Sequence, residues 1–279
     1  HTFDLPLITQ VTVEHEDQKK ILYSQEKEIG FYSIKMLTVN PFFLWKFNDY
    51  VQLGSGLLFQ KTEDINDQLN QGEQAKNAQN NIQSPHSINS VAYQMLGRFG
   101  LMNYHGLTQD GITLTSITNT TAGMYANSNN EEDYTSTENT LLAFYRPPFD
   151  KDSNLAFRLS QKSTSSNNPI RQVLIGSEQV RGFMASQFLG KFAVSSNVEY
   201  RYTAYSGENI GIQIVPFFDS GVIGGSEEDS FKRQMLSSYG IGLRIPLTKI
   251  NILNFRIDYA RTISPFITED FAFNLTHFF

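Results

Sequence analysis

The chain has 279 residues, a formal net charge of −6 and no cysteine. The acidic balance argues against a general nucleic-acid binder, and without cysteine neither disulfides nor thiolate metal sites can form. No apolar run approaches the roughly 20 residues of a membrane helix; a mean hydropathy of −0.32 leaves open a membrane β-barrel, in which only every second strand residue meets lipid.

His1-Thr2-Phe3 is not an initiating sequence, so the chain is expected to be processed or cut. In chain order, strands are predicted over 3–13, 29–39, 48–60, 89–104, 111–125, 138–147 and 153–162. The first has the poorest pattern, because HTFDLPLITQVTV contains Pro6 and alternates badly. The segment 61–87, rich in Gln, Asn and charge, is expected to be disordered or a mobile external loop, with a short helix as the less favoured alternative.

The C-terminal third alternates far more regularly. KFAVSSNVEYRYT sets Phe192, Val194, Val198, Tyr200 and Tyr202 against Ala193, Ser195, Asn197, Glu199 and Arg201. NIGIQIVPFFDSG sets Ile210, Ile212, Ile214 and Phe218 against Gly211, Gln213 and Asp219. LSSYGIGLRIPL sets Tyr239, Ile241 and Leu243 against Ser238, Gly240, Gly242 and Arg244. NILNFRIDYA sets Leu253, Phe255, Ile257 and Tyr259 against Asn254, Arg256 and Asp258. FAFNLTHFF ends the chain with Phe271, Phe273, Leu275 and Phe279 on one face, His277 among them.

A soluble sandwich would turn the apolar faces inward. The opposite assignment explains more. The polar faces carry Gly, Ser, Asn and paired charges (Glu199 with Arg201, Arg256 with Asp258), which suit a hydrated barrel interior, while the apolar faces end in Tyr or Phe like interfacial girdles. A polar backbone crosses lipid as a sheet only when that sheet closes. Polar connections at 14–28, 61–88, 126–137 and 163–186 alternate with short ones near 40–47, 105–110 and 148–152. The prediction is therefore an all-β transmembrane antiparallel barrel of about twelve strands, with sixteen strands, or part of such a barrel, as the alternative. It is one domain over 1–279, with an inward-folding loop at 163–186.

That loop contains Val180, Arg181, Gly182 and Phe183. Glu199 falls on the interior face of the next strand and Asp219 on that of the one after. Adjacent strands lie about 4.8 Å apart, so two inward carboxylates can share one guanidinium that would be costly to bury alone. Val180-Arg181-Gly182-Phe183, then Asn197-Val198-Glu199-Tyr200, then Phe217-Phe218-Asp219-Ser220-Gly221 and a terminal phenylalanine resemble the C-terminal barrel of the outer-membrane protein eighty-five superfamily. The superfamily includes the barrel-assembly insertase, the translocation and assembly module and the two-partner secretion transporters. The resemblance covers about 170–279; the first 150 residues share only the general strand pattern. It implies a loop arginine bound by acids of the next two strands, a lateral seam between first and last strands, and a role in inserting or translocating polypeptides or lipids. The usual sixteen strands and the preceding polypeptide-transport domains are not seen here. His277 stands where an apolar residue is usual.

Bond-making chemistry has no visible seat in the sequence. There is no G-x-S-x-G elbow, His1, His15, His86, His105 and His277 share no metal-ligand spacing, and Glu131, Glu132 and Asp133 read as a solvated loop. No enzyme, cofactor or metal is expected. The expected location is the bacterial outer membrane. The expected partners are its lipids and lipopolysaccharide, with unfolded outer-membrane protein clients or a periplasmic partner. A monomer is favoured over a dimer. The competing functional readings are a passive channel or structural barrel plugged by the loop, and a soluble β-rich binding protein.

Overall fold

The structure, a computed structural model, describes residues 7–24, 27–65, 68–80, 88–121, 133–150, 152–225, 234–247 and 254–276. Its strands are β1 (Leu7–Ser24), β2 (Lys27–Lys46), β3 (Val51–Asp64), β4 (Ile88–His105), β5 (Thr108–Thr120), β6 (Thr135–Tyr145) and β7 (Ser153–Thr164). They continue with β8 (Val173–Ile175), β9 (Phe188–Gly190), β10 (Phe192–Ser206), β11 (Gly211–Gly224), β12 (Gln234–Pro246), β13 (Asn254–Ser264) and β14 (Glu269–Thr276). Among the described residues one α-helix, α1, spans Gln71–Gln79, and a single 3-10 turn covers Pro169–Arg171. Twelve strands form a single sheet in chain order, while β8 and β9 pair with each other alone. The predicted strand number is therefore observed.

Contacts divide the chain into two compact units, one of 1–98, 116–138 and 163–173, the other of 99–115, 139–162 and 174–279. In the first, β1 and β2 pair antiparallel without interruption except for one irregularity between Leu22 and Tyr23. The expected loop at 14–28 is thus mostly a hairpin. The polar residues there hid the strand from the sequence pattern, but a ladder satisfies backbone groups whatever the side chains. Asp17 stands opposite Lys35 and Ile21 opposite Phe31, pairings that favour the extended form. The short link expected at 40–47 also belongs largely to β2, with Asn40 opposite Thr12 and Pro41 opposite Val11.

In 61–87, residues 61–64 continue β3, and the structure has the short helix, α1, that is the less favoured reading of the sequence. Asn70 caps it: its side chain accepts from the Glu73 backbone N–H at 2.9 Å, and the Asn70 N–H donates to Glu73 Oε2 at 3.1 Å. Asn77 then docks the helix on β2, accepting from the Phe31 N–H at 2.7 Å and donating to its carbonyl at 2.6 Å. Phe31, Tyr32, Ile34 and Leu69 are buried in this unit. Phe42 lies over Gly54 and Gly56, where an added Cβ would fall 2.4 and 2.6 Å from its ring. Asn40, Gln94, Asn119 and Ser136 form a relay of side-chain hydrogen bonds of 3.1, 2.8 and 3.3 Å across strands of the same unit.

The second unit shows the burial inversion that the sequence predicts. On β10 and β11 the buried residues include Ser195, Asn197, Glu199, Arg201, Gln213 and Asp219, while Val198, Tyr200, Tyr202 and Phe218 are exposed. Tyr239, Ile241 and Tyr259 continue the exposed apolar face on β12 and β13. Water would oppose such a surface in a soluble protein; lipid would not.

Candidate functional site: the ion pairs around Arg181

From residue 174 onward the loop between β7 and β10 belongs to the second unit and folds against its polar face. Gly176 starts the turn that presents its motif: the Val180 N–H donates to the Gly176 carbonyl at 2.8 Å, and a Cβ at Gly176 would lie 2.3 Å from the Met184 carbonyl oxygen. Val180 is fully buried, and Phe183 is nearly so. Gly182 has φ of +93°, a left-handed conformation that side chains disfavour, and its Cβ would meet Thr262 Cγ2 at 2.9 Å.

Arg181 is only 6% exposed. Its Nε donates to Asp219 Oδ2 and its Nη2 to Asp219 Oδ1, both at 2.6 Å, while its backbone N–H reaches Oδ2 at 3.1 Å. Nη1 donates to Glu199 Oε1 at 2.7 Å. The guanidinium also lies 3.4 Å from the centroid of the Phe217 ring. A planar fork bound on both edges and stacked on an aromatic face is a use of arginine that lysine cannot reproduce.

The carboxylates are themselves shared. Glu199 accepts from Arg201 Nε at 2.9 Å and from Arg244 Nη2 at 3.3 Å. Asp258, on β13, accepts from Arg244 Nη1 at 2.6 Å and from Arg256 Nε, and stands 3.7 Å from Arg181 Nη1. Glycines of β12 make the room. A Cβ at Gly240 would fall 2.5 Å from Phe217, and one at Gly242 2.1 Å from Asp258 Oδ1.

A second set of contacts joins the motif to the β13–β14 connection. Thr268 Oγ1 donates to the Gly182 carbonyl at 2.9 Å. Phe183 packs edge-on against Phe188 and Phe266, with centroids 5.4 and 5.7 Å away. Thr262 Oγ1 donates to the Phe266 carbonyl at 2.7 Å and accepts from the Thr268 N–H at 2.6 Å.

Of the residues singled out in the sequence, Val180, Arg181, Gly182, Phe183, Glu199 and Asp219 come together. The terminal-strand residues do not join them. Phe271 and Phe273 are exposed on β14, at 69% and 62%, and Phe273 lies beside Phe255. Leu275 stands opposite Phe255 in register; His277 and Phe279 lie outside the described residues. The sequence reading missed Phe217, Arg244 and the link from Asp258 to Arg181. Their inward phase was legible, but their meeting depends on register: Phe217 opposite both Glu199 and Gly240, and Gly242 opposite Asp258.

No protein-family model matches the chain, and no curated protein does. Among solved structures, the chain is similar to BamA from Haemophilus ducreyi lacking POTRA domains 1-3, with a TM-score of 0.67 and 12% identity. The match covers 98% of this chain and 59% of that one, so the chain spans well under two thirds of the BamA structure's length. At that identity the likeness concerns the fold: the chain is an all-β antiparallel barrel of the BamA type, with twelve strands in its sheet.

Proposed function

We propose that the chain is an integral barrel of the bacterial outer membrane, related to the insertase and transporter superfamily, and acts without enzymatic chemistry. Its role is the assembly of outer-membrane proteins, or the passage of polypeptides or lipids. Its partners are outer-membrane lipids, lipopolysaccharide and unfolded barrel clients or a periplasmic partner, and it works as a single-domain monomer. The observation that carries this reading is the buried Arg181, bound by carboxylates from the next two long strands in the order the family resemblance implies. The exposed apolar faces of β10 to β13 support the membrane setting.

In this reading Arg181 locks the loop inside the barrel and stiffens the strands that approach the seam. An edge that pairs weakly offers backbone donors and acceptors to an incoming strand. The test is reconstitution in liposomes with an unfolded outer-membrane barrel as client. Faster client insertion than in empty liposomes is expected. Unchanged insertion, with ion conductance that rises when 163–183 are deleted, would replace the assembly role by a loop-plugged channel.

A further inference from the structure

Within the second unit, a cavity of about 480 Å³ lies between the loop and strands β6, β7, β10, β13 and β14. That volume falls within the roughly 300–1,000 Å³ typical of small-molecule sites. Its wall is mixed. Leu142, Phe144, Phe157 and Ala272 are apolar, whereas Arg158, Arg181, Arg201 and Arg256 bring guanidinium groups.

Arg158 differs from the other arginines of the cluster. Its Nε donates to Asn197 Oδ1 at 2.8 Å and its Nη2 to the Glu178 carbonyl at 3.0 Å. Both acceptors are uncharged, and among the described residues no carboxylate forms an ion pair with it. A guanidinium has five N–H donors, so Arg158 keeps donors beyond these two bonds. Arg256 gives its Nε to Asp258, and its Nη2 comes no closer than 4.0 Å to Glu199.

On the cavity wall Arg181, Arg201 and Arg256 are paired with the buried Glu199 and Asp258, whereas Arg158 is held by uncharged acceptors alone. The other acids on the cavity wall are Glu178, which is exposed, and Asp270, which is half-buried. A partly desolvated guanidinium with spare donors and no carboxylate partner, beside an apolar wall, selects an anion with an apolar portion.

We propose that this cavity binds a carboxylate or phosphate carried on a small apolar group, its oxygens held by Arg158 and Arg256. The site is independent of any role in polypeptide assembly, because it needs only the folded barrel. The Arg181 pairs form its neighbouring wall, so a ligand here also bears on the loop.

The experiment uses the folded chain in nanodiscs of zwitterionic lipid, with hexyl phosphate and hexanoate as probes at fixed ionic strength. Arginine labelling by phenylglyoxal is mapped by mass spectrometry. Either probe should protect Arg158 and Arg256, while Arg261, which lies outside the cavity wall, stays labelled. Stronger protection by one probe identifies the headgroup. Calorimetry should give an affinity about tenfold weaker in Arg158→Gln, the scale of losing one charge-assisted pair. Labelling of Arg158 that neither probe changes would overturn the site without reference to any variant. Equal affinity in a folded Arg158→Gln protein would overturn it as well.

Discussion

The guanidinium of Arg181 touches both oxygens of Asp219, one oxygen of Glu199 and the ring of Phe217. Deleting it leaves carboxylates buried without their partner, which typically costs about 3–5 kcal/mol. Arg181→Ala is therefore expected to lower the heat resistance of the barrel and expose the loop to protease. Arg181→Lys should recover only part of the loss, because an ammonium cannot engage both edges of Asp219. Gly182→Ala places a side chain at φ of +93° and against Thr262, a strain of about 1–2 kcal/mol; the expected result is a loop cut faster by protease in an otherwise folded barrel. At this scale Glu199 and Asp219 were legible, because a period of two fixes which face each occupies. Phe217 was not. An apolar residue on a polar face looks like an exception until Arg181 is seen stacked on it, above the space left by Gly240.

At the scale of elements, the long hairpin and its helix lie furthest from what the sequence suggested. β1 and β2 have 18 and 20 residues, roughly twice the 9–11 of a tilted bilayer crossing. β1 carries Glu14, Glu16, Asp17, Lys19 and Lys20, and charge at 14–20 looks like loop when no partner strand is known. α1 left a clearer trace, the Asn70 and Glu73 spacing of a capping box, but its docking through Asn77 is tertiary and left none. Asn77→Ala should remove two hydrogen bonds to Phe31, each worth about 1 kcal/mol, and speed hydrogen exchange in α1 while β10 to β13 keep theirs.

Glu73 adds a pH dependence to the same helix. The hydrogen bond from Lys19 is the foremost of several contacts that hold its carboxyl below the ordinary value of 4.5. A lowered carboxylate stabilises the folded state above its ordinary value and loses that contribution as pH falls through the lowered one. Protection factors in α1, which are corrected for the intrinsic pH dependence of exchange, should therefore fall at acid pH, and the fall should be smaller in Glu73→Gln.

For the molecule as a whole, strand number and face assignment were the most legible features. Burying Ser195, Asn197, Glu199 and Asp219 while exposing Tyr200, Phe218, Tyr239 and Ile241 is stable only if lipid covers the apolar side. The most direct test of that claim is gel mobility of the membrane fraction with and without boiling. The chain should sediment with the outer membrane and migrate differently once boiled, as a closed hydrogen-bonded barrel resists detergent until heated. A chain that stays in solution without detergent and migrates identically in both lanes would contradict the membrane barrel, and the loop lock with it.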